Sequence, residues 1–151
     1  MTVIQREVFI PASPLAVYDY VSCPKRWKEW HPASQATLGI DDGSQDMGAR
    51  FAEQVRSAGF TRLLQWQVRD AVRGRRWEAD AFMRDGSRVH LLYELSAEKQ
   101  GTRFRRTLTY DIKPRLLRLA NDWLMWRRVE RESAQALDNL CRHFQRSGVQ
   151  A

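Results

Sequence analysis

Three ionisable side chains, Glu53, Arg106 and His31, stand where chemistry could be done. Glu53 falls between Phe51 and Val55 in an alternating segment, and Arg106 between Phe104 and Leu108 in another. Each therefore shares the parity of large apolar neighbours, and a charge brought to the apolar face of a strand is costly without a partner. Three arrangements meet that cost: an ion pair between the two, separate contacts with ligand or water, or a bulge that turns Arg106 outward. A guanidinium can hold a carboxylate or a polarised carbonyl through two parallel hydrogen bonds. Arg106 is thus the candidate anchor for the polar end of an otherwise apolar ligand, with Glu53 nearby. His31 follows Trp30 at the end of a short segment and can move protons near neutral pH, although a histidine in that place also commonly caps or packs. With Tyr93 and Tyr110 on the inward parity, these residues are the nearest approach to an acid–base set, and the catalytic residues themselves stay unassigned. The chain has no G-x-S-x-G, no glycine-rich phosphate loop and no Ser/His/Asp order. None of His31, His90 and His143 has metal-ligand spacing with another histidine, cysteine or acid, so neither metal nor cofactor is expected.

The apolar wall of such a site is nominated by parity. It takes Phe51 and Val55, then Leu64, Trp66 and Val68, then Trp77, Ala79, Ala81 and Met83. Leu91, Tyr93, Phe104, Leu108 and Tyr110 follow, with Leu116, Ala120, Trp123 and Leu124 from a terminal helix. Inward apolar residues fill the core of any protein, so the same positions serve packing equally. Small Ala79 and Ala81 between large Trp77 and Met83 either leave room or let a helix approach closely. The segment "CPKRWKEWHPAS" adds Trp27 and Trp30, which share a face at i, i+3. Their flat rings suit a plug or one wall of the mouth, with Lys25, Arg26, Lys28 and Glu29 in water.

These residues need elements to position them. Residues 2–10 alternate as a half-buried strand. Ser13-Pro14 opens a helix, with serine at the N-cap and proline at the first helical position. Pro24 stops that helix and suits the first turn of a second, short one that ends before Pro32. Strands are expected over 35–40, 50–57, 61–72, 76–84, 88–96 and 102–112. The links between them are short, and Asp85-Gly86 is a hairpin signal, so neighbours run antiparallel in a meander. Residues 115–145 read as one long helix. Its stripe runs through Leu116, Trp123, Trp126, Val129, Ser133, Leu137 and Phe144, and its opposite face carries Arg127, Arg131, Glu132 and Asp138.

The chain of 151 residues, 43% hydrophobic and 28% charged, suits one folded domain over 1–151 rather than disorder. No apolar run approaches the roughly 20 residues of a membrane span. The N-terminus reads as a strand, not a signal peptide, and a cytoplasmic location is expected. Two cysteines, Cys23 and Cys141, suggest neither a disulfide framework nor a metal pair. The formal charge is +7; Lys25, Lys28, Lys99 and Lys113 are lysines, and the other 21 of the 25 positive side chains are arginines. They are spread along the chain, which reads as solvated surface rather than a nucleic-acid site. Residues 111–128 are amphipathic, tryptophan-bearing and basic at their ends. Such a helix can lie on a membrane surface, or simply cover its own sheet.

The order strand, two short helices, six antiparallel strands and long C-terminal helix resembles the helix-grip fold of the START / birch-pollen-allergen superfamily. More narrowly, it is similar to the bacterial polyketide cyclase/dehydrase-like SRPBCC proteins. The resemblance is carried by "VFIPASPLAVYDYVSCPKRWKEWHP", by "LLQWQVRD" at 63–70 and by "YDIKPRLLRLANDWLMWRRVERESAQALDNLCRHF". It implies an α+β fold with a curved antiparallel sheet of about seven strands around the terminal helix, enclosing a cavity. Family members bind lipids, sterols, quinones or polyketides, and some catalyse cyclisation or dehydration. The expected function is therefore to carry or sense a small hydrophobic molecule. The alternatives are a cyclase/dehydratase acting on an enolisable substrate, with Arg106 polarising a carbonyl and Glu53 or His31 moving protons, or a surface module for lipid, protein or RNA.

Overall fold

Alternation of apolar and polar residues builds most of the protein, as the computed structural model shows. The structure describes residues 1–57, 59–113 and 120–149, the last helix being described in its side chains from 123 to 147. Strand β1 (Thr2–Ile10) turns Ile4 and Ile10 inward. Ser13 then caps α1 (Pro14–Val21), its Oγ accepting the Ala16 N–H at 3.2 Å. A 3-10 turn (Pro24–Arg26) runs into the single-turn helix α2 (Trp27–Trp30). Six strands follow: β2 (Ser34–Leu38), β3 (Arg50–Ser57), β4 (Phe60–Val72), β5 (Arg76–Phe82), β6 (Arg88–Glu98) and β7 (Gly101–Asp111). Helix α3 (Ala120–Val149) ends the chain.

The strands make one antiparallel sheet in the order β1-β7-β6-β5-β4-β3-β2. Short turns pair sequence neighbours from β3 to β7, β2 pairs with β3 across the longer loop 39–49, and β1 pairs along its whole length with β7. Register shifts between Ser34 and Ala36 and between Val68 and Asp70 are bulges, which bend and twist a sheet. The curved sheet grips α3, which buries Ala136, Leu137, Leu140 and Phe144. Polar ties fix the helix. Arg6 Nη2 pairs with Glu130 at 2.9 Å, and Asn139 Nδ2 donates to the Trp30 carbonyl at 2.9 Å. This is the helix-grip fold that the element order implies. Among the described residues no helix is long and apolar enough to cross a membrane.

The phase of α3 differs from the expected stripe. Trp123 is 55% exposed, with the Arg127 guanidinium 4.8 Å from its ring centroid, and Met125 faces inward instead. Glu132, expected on the outer face, is buried. At 100° per residue the buried set Ser133, Ala136, Leu140 and Phe144, with half-buried Val129, places Met125 and Glu132 on its flank and carries Trp123 outside it.

Gly101 illustrates how tightly β1 and β7 are joined. A Cβ there would collide with the Ile10 carbonyl oxygen and the Phe9 ring. Backbone cannot move aside cheaply, so Gly101→Ala is expected to cost about 1–3 kcal/mol of stability, measured by urea unfolding; an unchanged midpoint contradicts the close approach.

Candidate functional site

The short helices close one end of the sheet. Trp27 and Trp30, 3% and 1% exposed, both turn inward from α2. Trp27 Nε1 donates to the Val21 carbonyl at 2.8 Å, and its ring meets Phe51, Trp66 and Trp77 edge-on at 5.6, 5.6 and 5.8 Å. Beyond this plug lies a cavity of about 480 Å³, walled by the concave face of the sheet, α2 and the first half of α3. Its surface is mostly apolar, and its volume falls in the range usual for small-molecule sites.

Of the wall residues expected from parity, Trp27, Trp30, Val55, Leu64, Trp66, Met83, Leu91, Tyr93, Leu108, Tyr110 and Leu124 line the cavity, together with Glu53, Arg106 and His31. Phe51, Val68, Trp77, Ala79, Ala81 and Phe104 do not. They face inward but fill solid core: Trp77 and Phe104 stack or tilt against Tyr93 at 5.4 and 5.3 Å, and Phe51 stacks on Trp66 at 6.3 Å. Parity fixes the face of a strand but not which side chain on that face reaches the cavity: Ala79 sits opposite Leu91, and Ala81 opposite Trp66 and Val89, larger neighbours that line it instead. The alanines are thus part of packed core rather than space left for an occupant. Trp123 is corrected as well, because the helix phase turns it to solvent. Leu116 lies outside the described residues, and Ala120 is described in its backbone alone. The cavity also takes Ala33, Ser57, Phe60, Arg62, Val89, Ile112, Met125, Val129 and Glu132. Val89 and Ile112 continue the parities of Leu91 and Tyr110 and were open to reading. Val129 lies on the expected helix stripe, Ala33 follows from the α2–β2 link, and the rest depend on how the β3–β4 hairpin meets α3, as in the Ser57–Glu132 contact.

Charge is concentrated on one side of this apolar space. Glu53 is 5% exposed and accepts from Trp66 Nε1 at 3.0 Å. Burial pushes its carboxyl up to about 7, against the lowering pull of the Ser34 hydroxyl, the Trp66 indole N–H and the Arg106 charge. Arg106 is 6% exposed; its Nη1 donates to Ser133 Oγ at 3.0 Å, and its Nη2 lies 3.3 Å from His31 Nε2. Among the described residues Glu53 and Arg106 form no ion pair, with each other or with a third group. Of the three arrangements open at the outset, pairing and outward rotation are therefore not the ones found. Burial drives the His31 pKa well below its usual range, and the Arg106 charge adds to the effect, so the imidazole is neutral. Burial likewise raises the Tyr93 hydroxyl, with Arg106 opposing. At the rim, Glu132 is held by Ser57 Oγ at 2.9 Å and Arg128 Nε at 2.7 Å. Trp30 Nε1 is buried without a partner among the described residues. The arrangement can enclose an apolar body, meet one oxygen-bearing head at Arg106, and exchange a proton at Glu53 near neutral pH. Among the described residues no group of acids, histidines and cysteines could hold a metal.

A curved sheet gripping a terminal helix around such a cavity defines a START/polyketide-cyclase-like domain. The chain belongs to the polyketide cyclase / dehydrase and lipid transport family, whose profile matches residues 1–145. Solved structures share the fold at low identity. TTHA0849 from Thermus thermophilus superposes with a TM-score of 0.81 at 16% identity, covering 97% of this chain and 99% of its own. A START superfamily protein from Mycobacterium smegmatis gives 0.73 at 12%, covering 93% and 97%. Ara h 8.0201 gives 0.67 at 14%, covering 95% and 97%. No curated protein matches the sequence.

Proposed function

We propose that the protein binds a small hydrophobic molecule, of lipid, quinone or aromatic polyketide type, between sheet and terminal helix, and acts as its carrier or sensor. The observation that carries this reading is the apolar cavity of about 480 Å³ with a buried, unpaired guanidinium in its wall. An interior of this size kept open costs packing energy that a tightly filled core would not. The family's description, which names lipid transport and polyketide chemistry, supports the same reading. A second reading rests on Glu53, whose proton affinity near 7 suits an acid or base. There the occupant is an enolisable substrate of cyclisation or dehydration, and Glu53→Gln abolishes turnover instead of merely altering affinity.

Titration with N-phenyl-1-naphthylamine, a neutral fluorescent apolar probe, tests the binding reading. Saturable 1:1 binding is expected, weakened at least tenfold in Leu108→Trp, whose indole would occupy the space beside Leu91. Absence of saturable binding, or equal binding by the filled variant, overturns it.

A further inference from the structure

His31 stands between two hydrogen-bond donors. Its Nδ1 lies 3.2 Å from the Ala33 backbone nitrogen and its Nε2 3.3 Å from Arg106 Nη2. Neither neighbour can accept, and a neutral imidazole has one acceptor nitrogen and one N–H. In the empty cavity the charged guanidinium favours Nε2 as acceptor with the ring proton on Nδ1, whereas an anion bound beside Arg106 would let Nδ1 take the Ala33 N–H and Nε2 carry the proton. Among the described residues Arg106 has only neutral partners, including the Tyr93 hydroxyl. It is always charged, it is buried, Ser133 satisfies Nη1, and its Nε has no partner among the described residues. A full positive charge, and a ring nitrogen able to carry a second N–H, thus meet at one place in the cavity wall that has no anionic partner among the described residues.

The other charges near this place are already matched. Arg6, opposite Arg106 in the β1–β7 register, sits on Glu130 of α3 at 2.9 Å. Arg62 on β4 sits on Asp85 at 3.2 Å, and Glu132 on α3 sits on Arg128 at 2.7 Å. β2 and β5 bring no titratable group to the cavity, β6 brings the Tyr93 hydroxyl and β7 the Tyr110 hydroxyl. Arg106 and Glu53 remain, without an ion-pair partner among the described residues, in one cavity.

Building on the binding reading above, we propose that the ligand's head is a carboxylate, held between Arg106 Nη2 and His31 Nε2–H, and that its binding requires Glu53 in the protonated form. A neutral carbonyl would answer the hydrogen bonds but leave the buried charge uncompensated. A carboxylate answers both. When Glu53 is protonated the cavity carries one net positive charge, which the ligand cancels. When Glu53 is ionised it already offsets Arg106 through space, and a second anion would leave the cavity negative. Carboxylate binding thus takes up a proton when Glu53 starts ionised. Affinity is greatest below the Glu53 pKa of about 7 and falls above it.

Matched acids and methyl esters test this: decanoate against methyl decanoate, and 2-naphthoate against methyl 2-naphthoate, each displacing N-phenyl-1-naphthylamine at pH 6 and pH 8. The acids are expected to bind at least tenfold more tightly than their esters at pH 6, and to lose about tenfold by pH 8 while the esters do not change. Glu53→Gln is expected to bind the acids equally at both pH values. Arg106→Gln is expected to keep the esters and lose the preference for acids. Equal binding of acid and ester by the wild type, or acid binding independent of pH, overturns the carboxylate proposal and leaves the cavity reading standing. Failure of the neutral probe itself overturns both.

Discussion

Truncating Trp27 to alanine lowers the unfolding free energy by about 4 kcal/mol, in the range found for large aromatic-to-alanine changes in cores. Its indole is the hub of the plug, meeting Phe51, Trp66 and Trp77 edge-on. Edge-to-face contacts add to the area such rings bury. Removal also orphans the Val21 carbonyl, which takes the indole N–H at 2.8 Å. Helix α2 has a single turn, between the 3-10 turn and β2, and cannot shift inward to refill the hole. Urea unfolding followed by far-ultraviolet circular dichroism measures the loss. Trp27→Phe, which keeps the packing and drops the hydrogen bond, should lose less than half as much. A loss under about 1 kcal/mol for the alanine variant would mean that the plug is not what closes the sheet.

Glu53→Gln acts in the opposite direction, and its effect depends on pH. The carboxyl is raised in the folded state from 4.5 to about 7, so between those values the folded protein binds more protons than the unfolded chain. Stability is therefore full below pH 4.5, declines as pH rises through that window and levels off above 7. A rise of this size corresponds to about 3 kcal/mol. Glutamine keeps an acceptor for Trp66 Nε1 and carries no charge to bury. The variant should consequently be more stable than wild type by about 2–3 kcal/mol at pH 8 and nearly equal at pH 4.5. Thermal or urea unfolding across that range reads the difference. A wild-type protein whose stability relative to Glu53→Gln is the same at pH 4.5 and pH 8 contradicts the buried, proton-holding carboxylate.

Much of this architecture is legible in the sequence because it rests on short-range rules. Ser13-Pro14 and Asp85-Gly86 act through local backbone geometry, and the alternation in β4 to β7 survives because one face of each strand is buried. The same rule brings Glu53 and Arg106 to the concave face, where two isolated charges among Phe51, Val55, Phe104 and Leu108 stand out. Which inward side chain reaches the cavity is not local. Ala79 and Ala81 share the parity of Met83, yet only Met83 reaches the cavity, because the short alanines sit among larger cross-strand neighbours, Leu91, Trp66 and Val89, that line it instead. Helix phase fails for a related reason. Trp123 with Trp126 begins one apolar stripe and Met125 another on the nearly opposite face from Trp123, and the choice between them is made by the packing of Ala136, Leu140 and Phe144 further along α3. The contact between His31 and Arg106 joins residues 75 apart in sequence and has no signal in either segment.

The central claim is that the space between sheet and helix exists to hold an apolar molecule. Native mass spectrometry of the protein, fresh from purification and again after incubation with N-phenyl-1-naphthylamine, tests it most directly, with Leu108→Trp run alongside. The account predicts a small-molecule mass increment on the wild type in at least the second spectrum, at one molecule per chain, and none on the filled variant. A wild type that stays at its bare mass in both, or a filled variant that takes up the probe equally, contradicts it.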